Sequence, residues 1–171
     1  MGYTNQESCS EWIPFTRMSF VTGTWTDTVA SNVWSKNHTP AGETSTIRIP
    51  VSPLQNSKAQ NQVGALISSI DVWYSVGTAA LVAMTAQLYR LSAPANAAAF
   101  GTPASPAFTY DTGHDTAAKL YAVQAHKMTI TLTTPIWLSA DDILHLELSA
   151  NAAGTSVLKI YDARVNYTLR V

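Results

Sequence analysis

Residues 128–171 read MTITLTTPIWLSADDILHLELSANAAGTSVLKIYDARVNYTLRV. Met128, Ile130 and Leu132 alternate with Thr129, Thr131 and Thr133. Leu144, Leu146 and Leu148 alternate with Ile143, His145, Glu147 and Ser149, and Val165, Tyr167, Leu169 and Val171 alternate with Arg164, Asn166, Thr168 and Arg170. A period of two sends one set of side chains to a buried face and the other to water. Three such runs in succession predict an antiparallel sheet with one solvated face. Pro135–Leu138 reads as a short edge segment, and 139–142 and 151–154 read as turns. Leu158 and Ile160 are even-numbered while the last apolar set is odd-numbered. The phase therefore flips near Asp162–Ala163, which predicts a bulge or tight bend there.

The same reading extends towards the N-terminus. Over 63–76, Leu66, Ile70, Val72, Tyr74 and Val76 share one face, and Ile67, Asp71, Trp73 and Ser75 the other, with Ser68 interrupting. Gly77–Ala79 is hairpin-sized, so 79–91 is read as the second arm of a hairpin, although its Ala, Leu, Met and Gln content also suits a helix. Ile47, Ile49 and Val51 form a short strand that Pro50 confines to an edge or ends. Met18 and Phe20 mark another strand, broken at Gly23, and Trp25–Trp34 is read as strand by its Thr content. Residues 35–45 and 52–62 are polar loops, 117–127 is open between a helical turn and a strand, and 1–11 is a polar tail or arm. Residues 92–116, rich in Ala and Pro, carry no period and are too long for an ordinary connection, so they form a functional loop or an arm lying on a neighbour.

No βαβ alternation is present. The expected fold is all-β: a single antiparallel β-sandwich over 12–171, jelly-roll-like, with about eight strands. An immunoglobulin-like sandwich is the alternative; with Cys9 as the one cysteine, its disulfide-bearing form is excluded.

Charged residues make up 12% of the chain against roughly 25% in an average domain. A neutral Thr/Ser surface can enter protein contacts without stranding ions. Net charge is −1, with no basic cluster to track a phosphate backbone, which argues against nucleic acid. No apolar run approaches the roughly 20 residues a spanning helix needs, which argues against a membrane, and the first residues lack a secretory pattern.

Chemistry-bearing patterns are few. Asp111, His114 and Asp115 place two carboxylates and an imidazole close together, but no second ligand cluster completes a shell, so no metal and no cofactor are expected. No Gly-x-Ser-x-Gly elbow exists, Cys9 has no base nearby in sequence, and nothing in the sequence supports a catalytic pair among Glu7, Glu11, Glu43 and Glu147, so the chain is read as non-enzymatic. Trp73, opposite the apolar face of its strand, is the best sugar-stacking candidate. Tyr89 and the outward His145 join it as candidate ligand or interface residues.

Two stretches carry a resemblance. They are SSIDVWYSVGTAALVAMTAQLYRL (68–91) and the run 110–171, with its Asp-x-x-His-Asp-x-Ala loop, Pro-Ile-Trp-Leu turn and terminal Val-x-Tyr-Thr-x-Arg. Both resemble small all-β virion proteins of tailed bacteriophages. The resemblance implies a virion location and a decoration, head-fibre or tail-accessory role. It further implies a homotrimer and major capsid or tail proteins as partners, with no catalytic residues. A carbohydrate-binding module or receptor-binding tip that takes a surface glycan is the alternative on the same fold.

Overall fold

The computed structural model describes residues 6–38, 42–51, 65–92, 102–138, 142–152 and 154–170. Eleven strands form among these residues: β1 (Gln6–Pro14), β2 (Ser19–Thr22), β3 (Trp25–Ala30), β4 (Val33–His38), β5 (Thr44–Pro50), β6 (Ala65–Gly77), β7 (Ala83–Ser92), β8 (Phe108–Tyr110), β9 (Gln124–Leu138), β10 (Asp142–Asn151) and β11 (Val157–Arg170). A 3-10 turn (Phe15–Arg17) and a one-turn helix, α1 (Ala117–Leu120), interrupt them.

Two antiparallel sheets pack face to face. The larger runs β3-β4-β11-β6-β9-β8, with β1 also beside β11, and the smaller runs β2-β5-β10-β7. The pairs nest: β4 with β11, β5 with β10, β6 with β9, and Arg90 of β7 with Ala104. That nesting is the jelly-roll connection, so the expected sandwich is the fold. The three strands beyond the expected eight are β1, β8 and one arm of the β3–β4 hairpin, which was read as a single strand.

The C-terminal runs are strands with the expected buried faces, but they do not form one three-stranded sheet. β9 and β11 flank β6 in the larger sheet, while β10 lies in the smaller one between β5 and β7. The expected hairpin at 77–79 is overturned in the same way. β6 and β7 lie in different sheets, and their connection crosses the sandwich edge with Leu81 buried and Thr78 at φ 66°. Alternation fixes which side of a strand is apolar, and either sheet satisfies it.

The core lies between the layers. Leu144, Leu146, Leu148, Ile47, Ile49 and Val51 from the smaller sheet are fully buried, as are Ile70, Val72, Tyr74, Met128, Ile130 and Val165 from the larger. Each fully buried aliphatic side chain contributes about 1.5–3 kcal/mol. The expected phase flip in β11 is a register skip between Ile160 and Ala163. A second skip falls at Ser68 in β6, so Ala65 and Ile67 point inward rather than Leu66, correcting the face assigned to Leu66. Trp25–Trp34 is not one strand but the hairpin β3–β4, turned by Ser31 and Asn32 at φ 52° and 64°, the mirror-turn geometry that two-residue hairpins favour. Its second strand takes Ser35–His38 out of the loop expected there.

The N-terminal arm is also corrected. Residues 6–11 belong to β1, which pairs β11 from Gln6↔Arg170 to Pro14↔Asp162, so this segment completes its own sheet. Residues 1–5 lie outside the described residues. The long loop 92–116 is likewise held by its own chain wherever it is described. Ala104 exchanges backbone hydrogen bonds with Arg90, and Phe108–Tyr110 pairs with β9. Among the described residues no helix is long and apolar enough to cross a membrane.

Gly23, between β2 and β3, sits at φ +91°, and a Cβ there would meet Ser45 Cβ at 2.8 Å and the His38 ring at 3.0 Å. Gly23→Ala should therefore destabilise the fold by about 1–3 kcal/mol, read as a lower urea midpoint at unchanged m-value.

Candidate functional site

The outer face of the larger sheet carries an aromatic platform. Trp73 faces out from β6 because Val72 and Tyr74 face in, and Trp12 faces out from β1 because Ile13 faces in. β11 runs between β1 and β6, and Tyr161 and Asp162, at the bulge after Ile160, line the hollow beside the two indoles. The Trp12 and Trp73 rings stand 4.7 Å apart at 35°, and Trp12 remains 53% exposed. Beside them is an apolar hollow of about 240 Å³ bounded by Trp12, Val33, Trp73 and Tyr161, with Ala125 and His126 also in its wall. Tyr161 Oη and Ser75 Oγ are hydrogen-bonded at 3.0 Å.

Asp71 anchors this face from beneath. It is 3% exposed, and its carboxylate accepts from Thr129 Oγ1 (2.7 Å), Arg164 Nη2 (2.7 Å) and Nε (3.1 Å), and Asn166 Nδ2 (3.3 Å). Burial pushes its carboxyl up, but the bonds from Thr129, Arg164 and Asn166 outweigh that and hold it below the usual range. The guanidinium so fixed lies 5.5 Å from both indole centroids, and the Lys127 ammonium lies 5.5 Å from that of Trp73. The platform therefore combines fixed ring faces with polar groups at its rim, an arrangement suited to a ligand with apolar faces and polar edges.

Tyr89 and His145 lie elsewhere. They are cross-strand neighbours in β7 and β10, on the outer face of the smaller sheet, with rings stacked at 5.2 Å. Tyr89 donates to Gln87 Oε1 at 2.9 Å, and the Arg48–Glu147 ion pair at 2.9 Å lies along the same face. Burial, then the Arg48 charge, holds the His145 imidazole below its ordinary value, with Glu147 opposing. The three expected site residues thus occupy opposite faces of the sandwich. Trp12, Arg164, Lys127 and Tyr161 were missed. The signal for Trp12 was its place next to Ile13, which alternation turns the other way.

Asp111 and His114 do meet. His114 Nδ1 lies 2.9 and 3.0 Å from the two Asp111 oxygens, and its Nε2 lies 3.1 Å from His126 Nδ1. Asp115 turns away to pair with Lys119 at 2.6 Å. Among the described residues, no group of three His, Cys, Asp or Glu side chains is placed to hold a metal ion. A larger hollow of about 520 Å³ lies between 104–107 and 133–137. Its one charged group, Arg90, is tied to Asp142 Oδ2 and the Trp137 carbonyl.

No protein-family model matches the chain, and no curated protein matches it. Among solved structures it is similar to TmCBM61 in complex with β-1,4-galactotriose, at 11% identity and TM-score 0.41 over 94% of this chain and 88% of that one. It is also similar to the Agl-KA catalytic domain, at 7% identity and TM-score 0.45 over 96% of this chain and 28% of that one. A third likeness is to a family 11 carbohydrate-binding module from Clostridium thermocellum, at 10% identity and TM-score 0.33 over 95% of this chain and 89% of that one. Identities this low speak to fold alone, and the sandwich itself rests on the strand pairing given above.

Proposed function

We propose that this chain is a non-enzymatic binding module that takes a carbohydrate on the Trp12–Trp73 platform. The observation that carries the reading is the half-exposed Trp12, its ring tilted against that of Trp73 at 4.7 Å beside an apolar hollow. A sugar ring is apolar on its C–H faces and polar at its edge. An indole supplies the first contact, and Tyr161, Lys127 and Arg164 stand where the second is needed. Trp12→Ala should lower glycan affinity at least tenfold, about 1.4 kcal/mol, while the unfolding midpoint moves little because the residue is half exposed. Affinity electrophoresis across a panel of soluble polysaccharides is the measurement. Unchanged retention of the variant on a polysaccharide that retards the parent chain would remove the platform from the proposal.

A second reading makes the chain a virion subunit, with copies of itself and capsid or tail proteins as partners. It is supported by the resemblance over 68–91 and 110–171, and one structural observation favours contact with other chains. Val29 and Trp34, directly cross-strand at the β3–β4 tip, are 55% and 63% exposed. A glycan-binding virion subunit would combine the two readings. Sedimentation tests the contact: the parent chain should form a closed trimer, and Trp34→Ser should shift it to monomer. A parent chain that is monomeric at all concentrations refutes this reading.

A further inference from the structure

Beneath the platform lies a chain of four groups: Asp111, His114, His126 and the Ala122 carbonyl. It has three links: Asp111 to His114 Nδ1 (2.9 Å), His114 Nε2 to His126 Nδ1 (3.1 Å), and His126 Nε2 to Ala122 O (2.9 Å). Both imidazoles are buried, at 6% and 4% exposure, and His126 stacks on Tyr74 at 4.4 Å and 7°. The two ends of the chain accept only. Ala122 O is a carbonyl, and Asp111 already accepts the backbone N–H groups of Thr129 (2.6 Å) and Gly113 (2.8 Å), which keeps it a carboxylate.

Three links between two accepting ends need three protons on four ring nitrogens. Two neutral imidazoles carry two, so one link would set lone pair against lone pair. Two imidazolium rings carry four, so two N–H groups would face each other across 3.1 Å. One extra proton on the pair satisfies every link. We infer that this chain is a proton-counted latch. It ties the segment 111–126 to the wall of the hollow, and uptake of a second proton in acid opens it and loosens the platform. The inference rests on the binding reading given above only for its last step.

The titratable groups in contact with the pair are Asp111 from the loop and Tyr74 from β6, with Tyr110 of β8 beside Tyr74. Tyr74 donates to Leu120 O at 2.6 Å, and burial, then the Asp111 charge, hold it neutral, so it supplies no compensating anion. Lys119 and Asp115 neutralise each other on the loop's exposed side. The sign follows from His126. Burial, with the nearby His114 adding to it, holds that imidazole below its ordinary 6.5, so the unfolded chain binds more protons there. The second proton is therefore bound more weakly by the folded chain than by the unfolded one, and the stability the closed latch contributes is lost as pH falls below that value.

The test is imidazole ¹⁵N resonances together with amide exchange of 111–126 in the intact chain from pH 8 to pH 4. The expected result is one N–H between the two rings near neutrality. Loop opening should then rise by up to about tenfold per pH unit in acid, and glycan affinity should fall over the same range. His114→Asn should flatten the acid dependence of loop exchange; if it does not fold, the parent resonances decide alone. Two neutral, independently titrating rings, or exchange that is flat across the range, overturns the latch. If no polysaccharide binds at any pH while the resonances and exchange behave as stated, the platform reading fails and the latch stands. Affinity unchanged while the loop opens overturns the coupling.

Discussion

Leu146→Ala should lower the unfolding free energy by about 2–5 kcal/mol. Leu146 is fully buried at the centre of β10, with Ile49 on one side and Leu88 on the other, each also fully buried. Leu144 and Leu148 close the row above and below. The missing methyl groups leave a space bounded by two sheets whose backbones are held by ladders on both sides of β10, so little collapse can fill it. Urea unfolding should give a lower midpoint at the parent slope. A loss below about 1 kcal/mol would mean that the layers close over the vacancy and that the interior is softer than the strand pairing implies.

Asp71→Asn should cost about 1–3 kcal/mol, although it changes almost no volume. The carboxylate is 3% exposed and receives Thr129, Arg164 and Asn166; an amide at that position leaves the guanidinium without its anion and turns an N–H₂ towards other donors. The Arg164 side chain keeps 29% exposure, so water tempers the loss below that of a sealed pair. Arg48→Ala on the other face breaks an ion pair whose arginine side chain is 51% exposed and should cost under about 1 kcal/mol. The pH dependence separates a charge effect from a packing one. The Asp71 carboxyl lies below its ordinary 3.8 when folded, so its contribution is present above that value and lost as pH falls through the folded one. The difference between parent and Asp71→Asn should therefore shrink in acid, whereas that for Leu146→Ala should not. A pH-independent Asp71→Asn difference would show that geometry, not charge, links these residues.

Much of this molecule was legible residue by residue. Alternation alone placed Leu144, Leu146 and Leu148 inside and set His145 and Glu147 outside, because a strand has only two faces and burial discriminates between them. The odd–even mismatch located the β11 bulge before any pairing was known. Trp73 was placed on an outer face by the same logic, yet its partner Trp12 lies 61 positions away in sequence and meets it only because β1 reaches across β11. The buried role of His114 was hidden too. Nothing local says that a loop of Asp, Thr and Gly folds back against β9, where His126 supplies the second ring.

The sequence by itself determined strand class, most inward faces, the β11 bulge and the neutral surface, all properties that a side chain expresses within a few residues of itself. Tertiary structure decided which layer each strand joined, that β6 and β7 part company after Gly77, and that residues 6–11 complete a sheet instead of leaving it. It also decided that Tyr89 and His145 share one face while Trp73 faces the other way. The physical reason is the same throughout. An apolar face is satisfied by any complementary layer, and backbone donors by any strand edge, so the choice among partners belongs to the whole chain and not to the segment.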